Sequence, residues 1–96
     1  MEKAEVSQVF INILETTPGV YSIQNLFEEQ NKSTDSVIVH NVSKNIWDLT
    51  AAITILQNSN LKNIVTSISS ALRFALRKKG QKLGKLNILV GGLSND

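Results

Sequence analysis

Cysteine is absent from this 96-residue chain, which removes disulfides, thiolate metal sites and thiol nucleophiles at once. Histidine occurs once, as His40, and no set of His, Asp or Glu stands at a metal-ligand spacing, so no metal site is expected. Proline also occurs once, at Pro18, so only one point in the chain is barred outright from continuing a helix. Long apolar runs are missing too, and none approaches the roughly 20 residues that span a bilayer. The opening MEKAEVSQVF lacks the cationic start and apolar run of a secretory signal. A cytoplasmic chain is therefore expected, with attachment to a membrane only as a peripheral protein. Without a signal, the sequons at Asn31 and Asn41 read as chance in an Asn-rich chain.

What is present is an ordinary globular balance, 42% apolar and 19% charged residues. The length fits one domain over residues 1–96, with a two-layer core and little interior left for a deep substrate cavity. Charge is unevenly placed. Residues 1–60 carry three Lys against seven Asp or Glu, and residues 61–96 carry seven Lys or Arg against one Asp. The net charge of +2 is thus a −4 segment followed by a +6 segment.

Periodicity supplies the elements. Val6, Val9, Phe10, Ile13 and Leu14 recur at helical spacing, and the helix they predict must stop at TTPG. VYSIQNLFEE reads either as a short strand or as an extended connection, and QNKSTDS as a polar loop. SVIVHNV and NIWDLTAAITIL read as two strands joined by a hairpin-length SKN. The second puts Trp47, Leu49, Ala51, Ile53 and Ile55 on one face and Asp48, Thr50, Ala52 and Thr54 on the other. Asn60 is placed to cap a long helix with a stripe of Leu61, Ile64, Val65, Ile68, Leu72, Ala75 and Leu76, ended by Gly80. KLNILV reads as a last strand, with GGLSND fraying beyond it. The expectation is an α+β two-layer sandwich of order α-β-β-α-β, with room for an extra short strand after the first helix. Its sheet is mainly antiparallel and both helices lie on one face, where Leu86, Ile88 and Val90 join the buried set.

With these pieces in order, the chain resembles the bacterial alkaline shock protein family, envelope stress response proteins, from about Val6 to Leu93. The likeness rests on TTPGVYSI, WDLTAAITI, LKNIVTSISSALRFAL and LNILVGGL. It implies a non-catalytic interaction protein tied to cell-envelope homeostasis or stress, and it brings no catalytic or cofactor residues. Two departures stand out: the glycine-rich segment after the first turn is missing, and the long helix ends basic.

The side chains that could carry chemistry are few. His40 reads as a wet-face strand residue, and Asp48, Glu28, Glu29 and Asp35 as solvated carboxylates without a cleft to split their pKa values. Gly91 and Gly92 follow a strand, yet no helix follows them to receive a phosphate. GQKLG spaces its glycines by three residues, unlike the GxxG loop of KH domains. No catalytic residue, metal or cofactor is expected, and an enzyme is not the reading.

One stretch does stand out. ALRFALRKKGQKLGK, residues 71–85, holds six of the ten basic residues. At 100° per residue Phe74 lies roughly 220° around from Leu61, off the apolar stripe and among cations. Arg73, Phe74, Arg77, Lys78, Lys79, Lys82 and Lys85 are therefore the candidate partner-binding residues, against the plainer reading of a helix end stabilised by its dipole. The partner expected is a protein, whether membrane-associated or a second copy. The alternative is a small KH-like RNA-binding protein using the same basic helix end on phosphates.

Overall fold

In the computed structural model, which describes residues 1–24 and 37–94, the first helix, α1, spans Lys3–Thr16. Glu2 and Glu5 close a capping box at its start: the Glu5 carboxylate accepts the Glu2 backbone N–H at 2.9 Å. Val6, Phe10 and Leu14 are fully buried, while Val9 and Ile13 flank them against the same core. At the far end Thr17 is extended, as the following Pro18 requires, and its hydroxyl donates to the Ile13 carbonyl at 2.6 Å. Gly19 then takes a φ of +97°, and a Cβ there would stand 2.8 Å from Ile64 Cδ1. Both the turn and the packing of the next helix need a bare backbone at this point. Gly19→Ala should lower stability by more than about 1 kcal/mol, read as a fall in the urea midpoint at unchanged slope.

Strand β1 (Val20–Gln24) is the extra short strand, so the full order is α-β-β-β-α-β. Leu26 and the QNKSTDS loop fall outside the described residues. Strands β2 (Val37–Ser43) and β3 (Ile46–Leu56) form the expected hairpin, pairing Val39 with Leu49 and His40 with Asp48. β3 is the centre of the sheet. One of its edges holds β2 along its first half and β1 along its second, both antiparallel. Its other edge holds β4 (Lys82–Ser94) in parallel along its whole length.

Helix α2 (Leu61–Arg77) makes the crossover that parallel pairing demands. Asn60 caps it by accepting the Asn63 backbone N–H at 3.1 Å. It closes in a Schellman-type turn: Gln81 N–H reaches the Leu76 carbonyl at 2.8 Å, Gly80 N–H reaches Arg77, and Gly80 takes a φ of +73°. Ile64, Ile68, Leu72 and Leu76 face inward. Both helices lie on the sheet face formed by Trp47, Leu49, Ala51, Ile53 and Ile55, and these residues form one buried cluster with Val37 and Val39. The two-layer α+β arrangement is as the alternation predicts. Among the described residues, no helix is long and apolar enough to cross a membrane.

Three details differ from the periodicity. Leu61, first in the α2 stripe, and Val90, expected among the buried strand residues, are both exposed. Ala52, on the face expected to be wet, is buried between Gln24 on β1 and Leu89 on β4. The last strand runs from Lys82 to Ser94 and not from Lys85 to Val90. Gly84 and Gly91 sit at irregularities in the ladder. The Asp48 carboxylate occupies the space where Gly84 would carry a Cβ, and the Gln24 amide does the same at Gly91.

Candidate functional site

The end of α2 and the start of β4 meet at a cleft of about 470 Å³ lined by Arg73, Arg77, Gln81, Lys82 and Leu83. Arg73 and Arg77 are one helical turn apart and so share a face. The Schellman-type turn at Gly80 brings Lys82 back beside them. Among the described residues, its lining has three cations, one amide, one leucine and no carboxylate.

Gln81 fixes the floor of the cleft. Trp47 is buried under the helix layer, and its indole Nε1–H donates to Gln81 Oε1 at 2.8 Å. The Gln81 amide in turn donates to the Lys79 carbonyl at 3.1 Å. An indole N–H this deep needs a partner. Gln81→Ala should leave it without one and cost about 1–3 kcal/mol, a loss that Gln81→Glu, which keeps an acceptor, should largely avoid. Thermal melts of the two variants side by side make the comparison.

Beside the cleft runs a second strip. The Phe74 ring is 62% exposed, and the Lys78 ammonium lies 5.2 Å from its centroid. At an exposed position such a contact is worth roughly 0.5–1 kcal/mol, enough to hold the ring's orientation but not to cover it.

Of the seven residues singled out in the sequence, the structure gathers Arg73, Arg77 and Lys82 in the cleft and pairs Phe74 with Lys78 next to it. Lys79 and Lys85 line neither. Lys82 and Lys85 also belong to β4 and not to the helix end. Gln81 and Leu83 were not among the candidates. Their role depends on a tertiary contact to Trp47 and on strand pairing, and neutral residues in a basic run carry no periodic signal.

Other regions offer less chemistry. His40 and Asp48 stand opposite each other across β2 and β3, but Asp48 has a structural task, accepting the Lys85 backbone N–H at 2.7 Å. Among the described residues, no group of three or more His, Asp or Glu side chains is placed to hold a metal ion. A second hollow, with Ser59 and Ser67 in its lining, contains hydroxyls but, among the described residues, no base to activate them.

No protein-family model matches the chain, and no curated protein sequence does. Solved structures do. An aspartate-to-histidine variant of the MamM C-terminal domain in its copper form superposes with a TM-score of 0.65 at 12% identity, covering 95% of this chain and 98% of that one. A nickel form of an aspartate-to-asparagine variant gives 0.63 at 12% identity, covering 93% and 96%. A zinc form gives 0.64 at 12% identity, covering 97% and 88%. The fold is thus that of MamM C-terminal domains, which corrects the resemblance to alkaline shock proteins. The segments behind that resemblance are a helix stopped at a Pro-Gly turn, an alternating strand and an amphipathic helix. Many two-layer α+β domains share such segments, and they do not distinguish one family from another.

Proposed function

We propose that this domain acts by binding, not catalysis, and docks an acidic protein segment in the cleft between α2 and β4. The observation that carries the reading is the lining itself, which among the described residues holds three cations, an apolar residue and no carboxylate. Arg73 and Arg77 each present a planar fork that suits a carboxylate, and Lys82 adds a third charge across the cleft. Phe74, exposed beside them, supplies the apolar contact that protein interfaces concentrate in aromatic residues.

RNA is the second reading, and the sheet disfavours it. The face away from the helices presents Thr50 between Ile38 and Asn87, and Ala52 between Gln24 and Leu89, and these paired residues offer no aromatic platform for bases. Metal loading, the state in which several MamM domains were solved, is not adopted either, because no third ligand joins His40 and Asp48 among the described residues.

Fluorescence anisotropy with a labelled peptide of alternating Glu and Leu tests the proposal. A Lys-for-Glu counterpart and a single-stranded oligonucleotide of equal length serve as competitors. The acidic peptide should bind and the Lys peptide should not. Tighter binding of the oligonucleotide, with log affinity falling by roughly 0.7 per phosphate contact per log unit of salt, would transfer the cleft to nucleic acid.

A further inference from the structure

β4 is an edge strand of 13 residues, and its only strand partner among the described residues is β3. Edge strands offer a row of unpaired N–H and C=O groups, and proteins usually blunt them with charge, proline or bulges. Here the blunting devices sit at the ends. Lys82 and Lys85 lie at the start, and ladder irregularities fall opposite Trp47–Leu49 and opposite Ile53–Thr54. Between them Leu86, Asn87, Ile88, Leu89 and Val90 pair in unbroken register with Leu49 to Ile53. That run has no charge, no proline and no glycine. It is also under-covered: Val90 is 39% exposed on the helix side, Leu89 is 53% exposed on the other, and Leu93 beyond them is 61% exposed.

We infer that the free edge of β4 pairs antiparallel with the same edge of a second copy of this chain, about a twofold axis through Ile88. An axis normal to the sheet keeps both helix layers on one side, so residues of like parity must pair. Centring on the unbroken run then sets Leu86 against Val90 of the other copy, Ile88 against Ile88, and Asn87 against Leu89. The helix-side face gains three apolar cross-strand pairs, which cover the part of Val90 that the helices leave open. Charge selects the antiparallel sense. Parallel pairing would put Lys82 and Lys85 beside their own copies, whereas the antiparallel register sets Lys85 against Gly91 and the two Lys85 residues roughly 20 Å apart along the ladder. That exceeds the screening length of about 10 Å at 0.1 M salt. A net charge of only +2 opposes association weakly.

This surface is separate from the α2 cleft, and the test does not depend on the cleft's ligand. Sedimentation equilibrium over a micromolar-to-millimolar series should show a monomer–dimer equilibrium. Leu89→Lys places a cation at an exposed position outside the core and should raise the dimer dissociation constant at least about tenfold with the circular dichroism spectrum unchanged. The double variant N87C/L89C introduces the chain's only thiols, and mild oxidation should yield a covalent dimer that reductant reverses. A wild-type chain that stays monomeric across the series overturns the proposal. So does a dimer that survives Leu89→Lys and that N87C/L89C fails to cross-link.

Discussion

Replacing Ile68 with alanine should cost the folded state about 2–5 kcal/mol. Ile68 is fully buried at the middle of the α2 stripe, in the cluster that includes Leu49 and Ile53 of the central strand. Removing most of the side chain takes away its transfer free energy and leaves a cavity that the surrounding strands, held by ladders on both edges of β3, can close only in part. The effect is large because a chain of this size has only about 5–15 kcal/mol of stability in total. Each kcal/mol should move the melting temperature by about 4–8 °C. Phe74→Ala is the internal control: its ring lies outside the core cluster, so the loss should stay within about 1 kcal/mol, the worth of its contact with Lys78. Urea titrations of the two variants with equal slopes give the comparison directly. An Ile68→Ala loss below half a kcal/mol would mean that α2 does not pack on β3 as described.

The second large effect concerns binding. Neutralising Arg73, Arg77 and Lys82 together, each to glutamine, should slow association with the acidic peptide at least about tenfold at low salt. Charges act before contact, so most of the change should appear in the association rate, and its dependence on salt should flatten. Phe74 acts only on contact. Phe74→Ala should leave the association rate within about twofold and speed dissociation instead. Stopped-flow measurements at several salt concentrations separate the two behaviours. A triple variant that keeps the wild-type association rate would show that the cleft is not where the peptide arrives.

Much of this architecture is legible in the sequence, for a physical reason. Each burial-facing element is amphipathic at its own period, 3.6 for Val6–Leu14 and Ile64–Leu76 and 2 for Trp47–Ile55, so the buried set, Ala52 excepted, follows from spacing. Start and stop residues are equally local: Asn60 caps through its own side chain, and Pro18 and Gly80 act through backbone conformation. What is not legible is nonlocal. That β4 pairs parallel with β3 and runs past its glycines depends on Asp48 and Gln24 filling the space a Cβ would take. A one-dimensional pattern contains no trace of those contacts. The same limit applies to the cleft. Arg73, Arg77 and Lys82 are visible as cations, but their convergence comes from the turn at Gly80, and the anchoring Trp47–Gln81 hydrogen bond joins residues 34 positions apart. The alkaline shock resemblance goes wrong where periodic segments, shared by many two-layer domains, are read as a family signature.

The most direct test of the central claim is to titrate the isotope-labelled protein with the acidic peptide and follow its backbone amide chemical shifts. Saturable changes should centre on Arg73 to Leu83 and include Phe74 and the Trp47 indole N–H, which reports on Gln81 at the cleft floor. Shifts centred on the outer sheet face around Thr50 and Asn87, or none at saturating peptide, would contradict it.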